Sequence, residues 1–193
     1  MTYEKQHPWI DVFLTIEQLT EAHDGGQARH ATAYKIGSKP RNGASNKRKD
    51  SLKMHLDGMT AEKAVAVCFG IHDYWYTVSD IVDSSIPEFQ IGPQAFDAKA
   101  ADRPSKQLLV QKDASDDCIF ILVDIWMQPH CKILGWCYGW EAKKFGEWGE
   151  PTPGRPCFMV SQWDNEERKS CLHPPSELYG IIEQALKEAK QYA

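Results

Sequence analysis

The chain has 193 residues, 42% of them hydrophobic and 11% aromatic, with a formal net charge of −5. That length and apolar content suit one globular domain with a real core. No run of 18 apolar residues exists, which excludes a sequence-evident membrane span. The negative balance excludes a strongly basic surface, so any binding of nucleic acid must come from a local basic patch or from metal ions. The first sixteen residues lack the basic region, apolar stretch and cleavage site of a secretory leader. The expectation is therefore a cytoplasmic protein with reduced cysteines at 68, 118, 131, 137, 157 and 171.

In chain order, residues from about Ile16 to Ala33 read as one or two helical pieces. Thr15 is a cap with Gln18 three residues on, and Gly25-Gly26 interrupt the pattern. Lys35 to Lys53 reads as a basic, flexible loop. Lys35, Lys39, Arg41, Lys47, Arg48, Lys49 and Lys53 are opposed there only by Asp50. Lys47, Arg48, Lys49 and Lys53 are its candidate phosphate contacts, with a merely solvated basic loop as the alternative. Asp57 to Phe69 reads as a helix capped by Asp57 or Thr60 and ended by Gly70. On it Glu62 shares a face with Met59, Val65, Ala66 and Phe69, while Lys63 points elsewhere. A carboxylate on an apolar face is costly unless it is paired or binds a metal. Glu62 is thus a site candidate, the alternative being a boundary residue that reaches solvent or a lysine.

The stretch Pro87-Glu88, eight residues, then Asp97-Ala98-Lys99 carries the chemistry. On a strand, Asp97 and Lys99 point to one face and Ala98 to the other. Two carboxylates can hold a Mg²⁺ ion that neutralises a phosphodiester and lowers the pKa of a bound water. A nearby lysine can orient that water. A surface ion pair on an edge strand is the alternative. Beyond it, Leu108–Gln111, Cys118–Trp126 and Lys132–Tyr138 read as strands, Trp140–Phe145 as a short helix and Pro151–Pro156 as a rigid loop. Cys157–Val160 reads as a last strand and residues 176–192 as a C-terminal helix capped by Ser176. Trp136, Trp140 and Trp148 are expected in the core. Zinc held by some of His130, Cys131, Cys137, Cys157, Cys171 and His173 is a further option, although no Cys-x-x-Cys pair exists. The whole reads as one α/β or α+β domain, residues 1–193, with a central mixed sheet flanked by helices.

This order resembles the PD-(D/E)xK nuclease superfamily, the restriction-endonuclease-like fold. More narrowly it is similar to a group of small phage and bacterial proteins. The matching residues are His55, Gly58, Glu62, Ala64 and Ala66 on the helix, then Leu108-Leu109-Val110, Asp116-Asp117 and Phe120-Ile121-Leu122-Val123. Gly135-Trp136, Glu141-Ala142-Lys143 and Gly154-Arg155-Pro156 follow, before Met159–Gln162. The resemblance spans roughly Lys53 to Gln162. It implies a Mg²⁺-dependent deoxyribonuclease, with Mn²⁺ as a substitute ion, acting on DNA. Glu88, Asp97 and the Ala98 carbonyl would hold the metal, Lys99 would position the water, and Glu62 would support the site from the helix. Asp80 and Asp83 stay open beside Glu88 as the upstream acid, since relatives often place an Asp-x-Gly where this chain has Gly92-Pro93. The sequence leaves the oligomeric state open, with a homodimer as one option. The other reading is a non-catalytic nucleic-acid-binding or protein-binding phage accessory protein on the same fold.

Overall fold

The computed structural model describes residues 8–35, 48–75, 87–103, 107–152, 154–162 and 170–191. It is an α+β structure. A mixed sheet of five strands has the order β1 (Ile10–Phe13), β6 (His130–Tyr138), β5 (Ile119–Met127), β3 (Gln94–Ala101), β2 (Phe89–Ile91). A second sheet orders β4 (Leu108–Val110), β8 (Arg155–Val160) and β7 (Glu147–Thr152). The helices among the described residues are α1 (Ile16–Lys35), α2 (Arg48–Phe69), α3 (Gly139–Phe145) and α4 (Leu178–Ala189).

The unbroken apolar run of β5 follows from burial on both faces. Ile119, Ile121, Val123 and Ile125 pack with Ala22 of α1, Met59 and Val65 of α2, and Leu178 and Ile182 of α4. Phe120 and Leu122 point the other way, into a second cluster with Leu108, Val110, Ala142 and Val160 from β4, α3 and β8. β5 runs parallel to β3 and antiparallel to β6.

Several sequence expectations need correction. Gly25 and Gly26 do not interrupt α1, which is continuous from Ile16 to Lys35. Thr15 and Gln18 close it reciprocally: the Gln18 N–H donates to Thr15 Oγ1 (3.2 Å) and the Thr15 N–H to Gln18 Oε1 (2.9 Å). The glycines instead let two helices approach. A Cβ on Gly26 would lie 3.0 Å from the His55 carbonyl oxygen and from Leu56 Cα of α2. Gly26→Ala is therefore expected to destabilise by about 1–3 kcal/mol through overpacking. Gly180→Ala in α4, with nothing within 4 Å, should stabilise by about 0.5–1 kcal/mol. Urea unfolding of the two variants checks the contrast, and equal effects would overturn it.

Helix α2 begins at Arg48, so residues 48–53 are helical rather than loop, and Asp57 and Thr60 are interior rather than caps. The hydroxyl of Thr60 donates to the Leu56 carbonyl (2.9 Å). Residues 36–47 of the expected basic loop lie outside the described residues. From Met59 to Ala66 the helix is buried all round, Lys63 included, because α1 covers one side and the sheet the other. The stretch read as a rigid loop is a hairpin. β7 and β8 close it at Thr152 and Arg155, with Gly154 at φ +78° and Pro151 beside a register shift on the edge strand β7. Ser176 sits in a 3₁₀ turn, Pro175–Glu177, ahead of α4. Trp136 is buried as expected, but Trp140 and Trp148 are 42% and 49% exposed.

Candidate active site

The hairpin of β2 and β3 builds the centre of the site. Gly92, at φ +57°, supplies the left-handed residue that its two-residue turn needs. The register pairs Phe89 with Phe96. Continued by one step, it sets Glu88 across from Asp97. β2 has ended there, and Glu88 folds back onto the vacated edge of β3, where its Oε2 accepts the Ala98 N–H (2.6 Å). The Ala98 carbonyl faces the same edge, because a strand residue turns its N–H and C=O to one side. The Ala98 methyl points into the core below. Lys99 Nζ lies 2.5 Å from the Asp97 carboxylate and 3.9 Å from Glu88 Oε1.

A second layer comes from the helices. Glu62 of α2 is fully buried. Arg29 of α1 grips it in a two-pronged ion pair (2.5 and 2.9 Å), and the Trp75 indole N–H donates to its Oε2 (2.9 Å). Lys63, one residue on, pairs with Glu21 (2.6 Å) and lies 4.5 Å from the Trp75 ring centre. The structure thus brings Glu62, Glu88, Asp97 and Lys99 into one electrostatic cluster, with Ala98 at its edge. Asp80, Asp83 and Lys47 fall outside the described residues, and of Arg48 and Lys49 only their helical backbone is described. Lys53 is engaged elsewhere, paired with Asp57 and Asp102 beside a shallow cavity of about 240 Å³ also lined by Arg103 and Trp126.

No family model, no curated protein and no solved structure matches the chain.

The electrostatics of the cluster are uneven. Burial, and then the neighbouring Asp97 carboxylate, push Glu88 well above the usual carboxyl range despite Lys99. Burial also raises Glu62, against the opposing pull of Arg29 and Trp75. Burial works against the Lys99 and Arg29 cations, but the surrounding carboxylates outweigh it and hold both firmly protonated. Cys118, at the head of β5, is pushed up to about 12 by burial and by Asp97. Three acids thus face two cations, and Glu88 carries the mismatch.

That mismatch has a measurable consequence. The Glu88 proton is held above its ordinary 4.5 in the folded protein. As pH rises from 4.5 the unfolded chain ionises freely, while the folded one must ionise against burial, Asp97 and Glu62. The Glu88 contribution to stability therefore falls from pH 4.5 up to the folded-state value and is constant beyond it. In EDTA, Glu88→Gln should gain stability over the wild type progressively across that rise. Thermal melts across a pH series test this, and a gap independent of pH would refute it.

Sequence reasoning missed Arg29, Trp75 and Cys118. A signal for Arg29 was present. It follows Ala22 and Gly26 by seven and three residues, on the face of α1 that is buried against α2. Treating the helix as broken at Gly25 hid that stripe.

Among the described residues no group of three or more His, Cys, Asp or Glu side chains could by itself hold a metal ion. This bears on the zinc option. Cys137 and Cys171 meet, but His173 is committed to Glu141 (2.8 Å) and His130 to Asp11 (2.7 Å) on another edge. The helices of the described residues include none long and apolar enough to cross a membrane.

Proposed function

We propose that this protein is a metal-dependent nuclease that hydrolyses DNA phosphodiesters, built on a restriction-endonuclease-like core. The observation that carries the reading is the meeting of Glu88, Asp97 and Lys99 at the edge that β2 leaves open on β3, backed by Glu62 from a helix. β3 is flanked there by the antiparallel β2 and the parallel β5, so the site sits in a mixed sheet.

The residues present fit a Mg²⁺ ion. Magnesium is usually held by one or two carboxylates together with waters and substrate phosphates rather than by a full protein cage. Glu88 and Asp97 are two close carboxylates whose repulsion a dication would relieve, and the Ala98 carbonyl faces the same edge. When bound, such an ion would neutralise the phosphate and lower the pKa of an attacking water. Lys99 would hold its proton and direct its charge at the scissile group. Asp97 fixes the Lys99 head, and the Ala98 N–H fixes the Glu88 carboxylate. Arg29 and Trp75 keep Glu62 in place behind them. Residues 47–49 supply the proposed phosphate-tracking charges.

Plasmid, linear and single-stranded DNA are incubated with Mg²⁺, Mn²⁺ or EDTA, beside Asp97→Ala. Metal-dependent cutting that vanishes in the variant is the expected result. The wild-type melting temperature should also rise with Mg²⁺. A ligand at one hundred times its Kd stabilises by about 2.7 kcal/mol. No cutting and no Mg²⁺-dependent shift would favour the non-catalytic binding protein.

A further inference from the structure

Beyond the acidic cluster, a pair of thiols has no part in the function proposed above. Cys137 lies on β6 and Cys171 on the segment leading to α4. That segment runs antiparallel to β6 where Trp136 and His173 exchange backbone hydrogen bonds: His173 N–H to Trp136 O at 2.7 Å and Trp136 N–H to His173 O at 3.3 Å. Leu172 packs beside Gly135 so closely that a Cβ there would meet the Leu172 Cβ at 3.1 Å. Both cysteines join the same apolar cluster, Cys137 fully buried and Cys171 half-buried. Each thiol is the other's strongest electrostatic neighbour, and neither is in a disulfide.

We propose that Cys137 and Cys171 form a redox-active pair that closes to an intramolecular disulfide under peroxide. The two thiols have unequal roles. Cys171 is only half-buried and can be reached by peroxide, whereas Cys137 is fully enclosed. Cys171 is therefore the attacking thiol and Cys137 the resolving one. Its sulfur attacks one peroxide oxygen, the O–O bond breaks, and hydroxide leaves with a proton as water. The Cys171 sulfenic acid that results is then attacked by the Cys137 sulfur. The S–S bond forms, the S–O bond breaks, and the second oxygen departs as water with the Cys137 proton. In sum, two thiols and one peroxide give one disulfide and two waters, with two electrons passing from sulfur to oxygen. The other cysteines are poorer partners: Cys118 and Cys131 are buried with pKa values pushed up to about 12 and about 11.

The bond would staple the segment before α4 to β6. Cys137 is paired across β5 with Phe120, and Phe120 with Asp97, so the staple lies in the same row of the sheet as the acidic cluster.

The reduced full-length protein is treated with stoichiometric hydrogen peroxide, quenched with an alkylating agent and mapped by mass spectrometry. The expected product is a monomer lacking two hydrogens, with the Cys137 and Cys171 peptides linked and two of the six thiols lost. Dithiothreitol should reverse it. Cys171→Ser should abolish the linked product, whereas Cys118→Ser should leave it intact, each variant first shown to be folded by its melt. Linkage to a different cysteine, a disulfide-linked dimer, or stoichiometric zinc released on oxidation would overturn the proposal.

Discussion

Lys99→Ala is expected to lower DNA cleavage by about 100- to 1000-fold in kcat, the usual scale for losing one preorganised charge at a reacting centre, with KM little changed. The reason lies in the geometry. Lys99 Nζ sits between two carboxylates, 2.5 Å from Asp97 and 3.9 Å from Glu88. Removing it takes away the cation that the proposed mechanism directs at the substrate and leaves Glu88 and Asp97 facing each other without their nearest counter-charge. The same variant should therefore bind Mg²⁺ more tightly while cleaving more slowly. A merely structural lysine would move neither quantity in that way. Steady-state cleavage and a Mg²⁺ titration of the melting temperature separate the two cases. Unchanged cleavage would remove Lys99 from the mechanism, and weaker Mg²⁺ binding would show that the ion is not held by the carboxylate pair.

The second large effect concerns stability. Arg29→Met should destabilise by about 3–5 kcal/mol, the cost of leaving one member of a buried ion pair alone. For a chain of this size that is a melting temperature lower by roughly 6–20 °C. Glu62 keeps its Trp75 hydrogen bond, but one N–H cannot replace a two-pronged guanidinium. The double variant Arg29→Met, Glu62→Leu should recover most of the loss, because both charges then leave the interior together. If the single variant melts like the wild type, the pair is not what holds α1 against α2.

Elements with strong local signals were legible in the chain. The apolar run of β5, the stripe of α4 and the Thr15 and Gln18 cap each depend on residues close in sequence. So does the alternation that sets Asp97 and Lys99 on one face. Hairpin β7–β8 was not legible, since Pro151 sits on the edge strand β7 at a register shift, where local rules fail. Trp140 and Trp148 were assigned to the core on residue type alone, yet α3 and β7 leave their rings half outside it. The length of α2 was hidden because its first turn is made of the basic residues that suggested a loop.

By itself, then, the sequence determined which residue types could do chemistry, where Glu62 falls on its helix and which way Asp97 and Lys99 turn. Those are matters of period and spacing. Only the tertiary structure decided that Glu88 reaches Ala98 and Asp97, that Arg29 travels thirty-three positions to meet Glu62, and that Cys137 finds Cys171. Such contacts depend on strand register and on how closely two helices approach at Gly26. No local pattern encodes them, because each is fixed by packing between segments far apart in the chain.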